Sequence, residues 1–127
     1  MDRRISRSFG PSAAEAGAAR HFAVSVLADW GLASADVELA VGELAANAIK
    51  HAGSVFSVTM SQRTDDAEHR RVTLEVADDS AVLPRMVVTT AGEQKGRGLW
   101  ILDQIATAWG TRPAAPGKVV WATFTID

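Results

Sequence analysis

The 127-residue chain has the length of one compact domain, and its composition, 47% hydrophobic and 22% charged, is that of a globular protein. Its formal net charge of -2, without a long basic run, gives no reason to expect direct nucleic-acid binding. The absence of cysteine excludes disulfides and thiolate sites, and no apolar run approaches the ~20 residues of a membrane span, so we expect a cytoplasmic protein without a membrane partner.

The N-terminal quarter of the chain is predicted to form a short strand and then a helix. Residues 4–9 can form the strand. Ser12 and Glu15 have the spacing of a capping box, in which the hydroxyl and the carboxylate each accept a hydrogen bond from an otherwise unpaired main-chain N–H group. The helix is expected to run to about Trp30, where Gly31 ends it.

A second predicted helix begins after Ser34, a favourable N-cap residue, and ends at Gly53. Glu43 and Asn47 stand four residues apart in it, so both side chains point the same way beside the apolar stripe. Such a pair can hold a hydrated Mg²⁺, which prefers oxygen ligands, and Glu43 can accept a proton from an attacking hydroxyl. The same two residues also fit the solvated polar edge of an amphipathic helix.

The hydrophobic pattern then changes to the period of two that is typical of strands. Residues 55–62 and 71–77 alternate apolar and polar side chains, which predicts a hairpin. The same period places Asp78 on the buried face of the second strand, where a carboxylate needs a donor such as the exocyclic amino group of a purine. Without a ligand, we expect water or the Ser80 hydroxyl to satisfy it. Alternatively, the strand ends earlier, and Asp78 and Asp79 are turn residues.

The stretch KGRGLWIL places Gly96 and Gly98 just before a helix that is predicted over residues 99–109. Glycines let the main chain approach a ligand closely, and the N–H groups at a helix start suit phosphate; a plain loop is the alternative. The pattern GxxxxGK[ST] is absent, which argues against a P-loop. Residues 119–126 indicate a final strand. The order is βααββαβ, which predicts a two-layer α/β sandwich with a mixed, mostly antiparallel sheet covered by helices on one face.

In this order and spacing, the three segments resemble the N, G1 and G2 boxes of the GHKL, or Bergerat-fold, ATP-binding superfamily. ELAANAIKHAG is similar to the N box, DDSAVLP to a degenerate G1 box and GRGL to the G2 box, and the match covers residues 37–127. The resemblance implies one ATP-binding domain over residues 1–127. From the length we expect no transducer or sensor domain. The short lid, residues 85–95, and the ending GKVVWATFTI look like the stand-alone anti-sigma-factor serine kinases.

That resemblance implies an ATP-dependent protein serine/threonine kinase that binds a sigma factor and phosphorylates a serine of an anti-anti-sigma (STAS-domain) partner. Many similar proteins are dimers. ATP and Mg²⁺ would be the cofactors, with Asn47 as the Mg²⁺ ligand and Glu43 as the base or water-positioning residue. Asp78 would accept a hydrogen bond from the adenine amino group. The other residues expected at the nucleotide are Lys50, Ser80, Gly96, Arg97, Gly98 and Leu99.

Three positions depart from the family pattern. Ser80 and Val82 stand where the G1 box usually has glycines, and Val119 stands where many members have a threonine near the base. Valine does not easily adopt a positive φ, so the wall of the adenine pocket must be shaped differently. These departures favour an alternative function, a non-catalytic partner-binding module with a degenerate nucleotide site. The intact Glu43 and Asn47 favour the kinase.

Overall fold

The computed structural model describes residues 2–65, 69–80 and 97–126, which form a sheet and a layer of helices. The five strands make one sheet in the order β1-β2-β3-β5-β4, and all four neighbouring pairs are antiparallel. The predicted α/β sandwich is therefore confirmed, but the sheet is antiparallel throughout the described strands rather than mixed. The elements are β1 (Arg3–Phe9), α1 (Ala14–Asp29), α2 (Ala35–Ala52), β2 (Phe56–Thr64), β3 (Arg70–Asp78), α3 (Arg97–Ile105), β4 (Ala108–Ala114) and β5 (Gly117–Ile126).

The hydrophobic core lies between the helices and one face of the sheet. Met60 on β2 and Leu74 on β3 are register partners, and both are fully buried beneath the helices. From the helical layer, Val41 of α2 and Leu102 of α3 are equally buried. Removal of this apolar surface from water stabilises the packing of the two layers. None of the three helices that the structure describes is long and apolar enough to cross a membrane.

The ends of α2 agree with the sequence, whereas in α1 the Ser12 hydroxyl does not act as predicted, and the Glu15 carboxylate accepts from the Gly10 N–H at 3.2 Å. The Ser34 hydroxyl accepts a hydrogen bond from the Val37 N–H at 3.1 Å, and Gly53 closes α2 with a φ of 61°. In α1 no side chain caps the N-terminus. The chain enters that helix through a tight turn, in which Ser12 offers its carbonyl oxygen, and not its hydroxyl, to the Glu15 N–H at 2.9 Å.

Strand β4 is the element that the sequence pattern missed. The helical spacing predicted that the third helix runs to Trp109, but α3 ends at Ile105, and Trp109 lies in β4. The Trp109 indole N–H donates to the Asp103 carboxylate at 2.8 Å, so the residue still contacts α3 from the neighbouring strand. Proline at position 113 is compatible with β4 because this strand is at the edge of the sheet. On the open side of an edge strand, the main-chain N–H groups have no neighbouring strand to bond.

Candidate functional site

The end of α2 and the start of α3 meet at Asn47 and Gly98. A Cβ atom built on Gly98 would collide with Nδ2 of Asn47 and would lie 3.3 Å from its Cγ. A larger residue at this position would therefore require the Asn47 side chain to move. Asn47 is half-buried, so its amide is held against the glycine segment and is not on a fully solvated edge. Two of the three sequence segments therefore lie side by side at the N-terminus of α3.

Glu43 lies one helical turn before Asn47, on the wall of a groove between α1 and α2. The groove has a volume of about 210 Å³, and Gly17 and Gly42 are among the small residues that line it. Glu43 itself is half-buried. Since the groove is open to solvent, a hydroxyl group of a second molecule can approach this carboxylate from outside. The geometry is compatible with proton acceptance by Glu43, and that role stays a prediction.

Asp78 is the last residue of β3, and its side chain is only 4% exposed, so the alternative of an exposed turn residue is wrong. The Lys118 ammonium donates to Oδ1 of Asp78 at 2.9 Å, and the main-chain N–H of Ser80 donates to the same oxygen at 2.9 Å. The Ser80 hydroxyl, which was expected to satisfy the carboxylate, is not among its described partners. Its partners are a buried cation and a main-chain group.

Lys118 is the residue of this site that the sequence analysis missed. It is the register partner of Asp78 in the β3–β5 ladder, and the side chains of such partners lie on the same face. Val119, which was expected near the base, pairs with Ala77 and therefore points to the opposite face of the sheet. The period of two in β5 contains this signal, because Lys118 has the same parity as the buried Val120. Its partner strand could not be known from the sequence.

Gly117 fixes the main chain that carries Asp78. A Cβ atom built on Gly117 would collide with the carbonyl oxygen of Asp78 and would lie 2.6 Å from both Cα and the carbonyl carbon of Asp79. These are main-chain atoms, which cannot turn aside as the end of a flexible side chain can. Glycine at this position is therefore a requirement of the close packing between the start of β5 and the end of β3.

We expect Gly117→Ala to lower the free energy of unfolding by about 1–3 kcal/mol, the usual cost of forcing extra volume into a packed site. Urea denaturation measures this change. Gly17→Ala is the matched control, because a Cβ there meets nothing within 4 Å, and alanine is favoured over glycine inside a helix. An equal effect of the two substitutions would show that the Gly117 contact does not constrain the strand end.

The remaining candidate residues have different surroundings. Lys50 is exposed in the last turn of α2, where a cation is favoured by the helix dipole. Leu99 is part of the core at 2% exposure, so any contact between this residue and a ligand involves its main chain. Gly96, Val82, the side chain of Arg97 and the lid lie outside the described residues.

The oxygen-bearing side chains at this site suit a metal ion that is coordinated partly by the phosphates of a bound ligand. Within residues 2–65, 69–80 and 97–126, no group of three or more His, Asp or Glu residues could hold a metal ion. Mg²⁺ commonly keeps several waters and uses one or two protein oxygens together with substrate phosphates. The Asn47 amide beside the main chain of Gly98 fits that arrangement, since it places one oxygen-bearing side chain at a helix N-terminus that favours phosphate.

A family model described as a histidine kinase-like ATPase domain matches residues 9–124, which includes every described element except most of β1 and the end of β5. Among curated proteins, none matches the chain. The matched segment contains Glu43, Asn47, Asp78 and Gly98, together with Lys118.

Proposed function

Since the chain belongs to the family of histidine kinase-like ATPase domains, we propose that it is an ATP-dependent protein serine/threonine kinase that regulates a partner protein. The family implies that the nucleotide is ATP. The observation that carries the proposal is the contact between Asn47 and Gly98, because it joins an oxygen ligand for Mg²⁺ to a helix start suited to phosphate. Asp78, buried at the end of β3, supplies an acceptor for the adenine amino group.

In this proposal, different residues of the chain have separate roles in phosphoryl transfer. Asn47 would hold Mg²⁺, which would supply charge neutralisation at the phosphates, and the N–H groups at the start of α3 bind phosphate oxygens. Glu43 accepts the proton of the attacking hydroxyl. The hydroxyl oxygen forms a bond to the terminal phosphorus of ATP, the bond to the bridging oxygen breaks, and ADP leaves. The open groove beside Glu43 supports the approach of a protein hydroxyl from a partner.

The proposed partners are a sigma factor, which the protein sequesters, and a STAS-domain protein, which carries the phosphorylated serine. The similarity of the short lid and of GKVVWATFTI to the stand-alone anti-sigma-factor kinases supports this proposal. The competing function is a non-catalytic module that binds a partner through the same fold. Ser80 and Val82, which replace the usual glycines, favour that alternative.

Two measurements distinguish these functions. Calorimetry with a non-hydrolysable ATP analogue, with and without Mg²⁺, tests the nucleotide site. Transfer of labelled phosphate from ATP to purified STAS-domain proteins then tests the kinase. We expect Mg²⁺-dependent binding followed by labelling of a serine. Binding without transfer to any of these proteins would favour the non-catalytic module, and no binding under either condition would contradict the proposed function.

We expect Asn47→Ala to weaken Mg²⁺-dependent ATP binding by at least about tenfold, because it removes a contact to a charged group worth about 1.5–3 kcal/mol. The melting temperature should stay near that of the unchanged protein, since the half-buried amide contributes little apolar packing. Gln104→Ala, which removes an exposed amide from α3, is the control. A largely unfolded Asn47→Ala protein would show that the amide is structural.

A further inference from the structure

The phosphoryl transfer proposed above makes no use of Lys118, although this lysine is among the most buried charged residues that the structure describes. Its side chain is 6% exposed, and Nζ lies 2.9 Å from Oδ1 of Asp78. An ammonium group has three N–H donors. In the described part of the chain, Asp78 is the one acceptor that the structure records for it. An ammonium group that uses one donor on Asp78 can therefore give a further hydrogen bond to a ligand.

The carboxylate of Asp78 has a matching property. Both of its described hydrogen bonds, from Lys118 and from the main chain of Ser80, end on Oδ1. Oδ2 is therefore the oxygen that a ligand can use. The pair is not sealed inside the core, because both residues also border an open groove of about 340 Å³ at this end of the sheet. Asp78 and Lys118 thus present a hydrogen-bond acceptor and a cationic donor side by side.

We propose that Lys118 reads the purine base together with Asp78, by donating a hydrogen bond to ring nitrogen N1 of adenine. Adenine carries the 6-amino donor and the N1 acceptor on neighbouring positions, which complements an acceptor beside a donor. This inference rests on the proposed ATP site and deepens it. Lys118 then supplies the second of two base contacts, and Asp78 supplies the first.

The proposed pair also determines which purine is rejected. Guanine has a carbonyl oxygen where adenine has its amino group, and an N–H where adenine has its N1 acceptor. In the same orientation, the guanine oxygen faces the Asp78 carboxylate and the guanine N–H faces the Lys118 ammonium. Both contacts are then unpaired, so we expect ATP to bind at least about tenfold more tightly than GTP. Removal of the lysine should reduce that preference.

The test compares nucleotides that differ in one ring atom, using the whole chain and the Lys118→Met variant. In 1-deaza-ATP a C–H group replaces N1. We expect the unchanged protein to bind 1-deaza-ATP about tenfold or more weakly than ATP, since a contact from a charged donor is lost. Lys118→Met should bind ATP and 1-deaza-ATP with equal affinity. The ligand 7-deaza-ATP, altered on the opposite edge, is the control, and its affinity relative to ATP should be the same in both proteins.

A lysine that serves only the fold would weaken the binding of all these nucleotides by the same factor, and that result would overturn the inference while leaving the ATP site intact. If the unchanged protein binds no ATP, the proposed function fails with it. The unchanged protein also provides a test that does not depend on the folding of Lys118→Met. Equal affinity of this protein for ATP and 1-deaza-ATP would by itself overturn the role of Lys118.

Discussion

Replacement of Glu43 by glutamine is expected to slow phosphotransfer by about 10²–10⁴-fold, the usual contribution of a positioned general base. Glutamine has nearly the same shape as glutamate, but it cannot accept the proton of the attacking hydroxyl. The binding of ATP should change little, because in the proposed site the phosphates contact the start of α3 and Mg²⁺ contacts Asn47. Single-turnover transfer to the partner, measured at saturating ATP, reports the chemical step separately from nucleotide binding.

The groove beside Glu43 offers a matched control. Glu38 lines the same groove, and its carboxylate lies 4.0 Å from Nε of Arg20. Glu38→Gln removes the same charge from the same surface, so it reproduces any general electrostatic effect on the approach of a partner. We expect a normal rate of transfer for this variant. Equal slowing by the two variants would assign the effect of Glu43 to the charge of the groove and not to proton transfer.

The parts of the fold that the sequence predicted are those with local signals. Helix α2 begins and ends as expected because Ser34 and Gly53 act on residues within one turn of themselves. The burial of Asp78 followed from the period of two within a single strand. The resemblance placed both Asn47 and Gly98 at the nucleotide, whereas their direct contact depends on the packing of α2 against α3 and has no local signal in the sequence.

The features that were missed depend on pairing between distant segments. Trp109 continues the helical spacing of Leu102 and Ile105 in the sequence, but its main chain belongs to β4, and its indole contacts Asp103 on α3 from that strand. Similarly, Lys118 is adjacent to a strand break in the sequence and has no local feature that assigns a partner. Its role depends on the register that places it opposite Asp78. Strand register between distant segments is determined by the whole sheet, and one sequence does not contain that information in a local pattern.

The buried pair itself leads to the largest expected change in stability. Asp78→Leu leaves the Lys118 ammonium without its described acceptor in a position where the lysine side chain is 6% exposed. An uncompensated buried charge of this kind costs about 3–5 kcal/mol, whereas replacement of both partners by apolar residues is often neutral or stabilising. We therefore expect Asp78→Leu to be strongly destabilised and Asp78→Leu/Lys118→Met to regain most of the lost free energy of unfolding.

Urea denaturation of the unchanged protein, the two single variants and the double variant completes a cycle that isolates the interaction between the two residues. Asp2→Ala is the control for an exposed pair, since Arg63 lies 3.6 Å from Asp2 and both side chains are well exposed; we expect at most about 1 kcal/mol. The double variant also separates stability from function, because it should fold and yet bind ATP poorly without either base contact. If Asp78→Leu costs no more than Asp2→Ala, the lysine reaches water or another acceptor, and the pair contributes nothing to holding the end of β3.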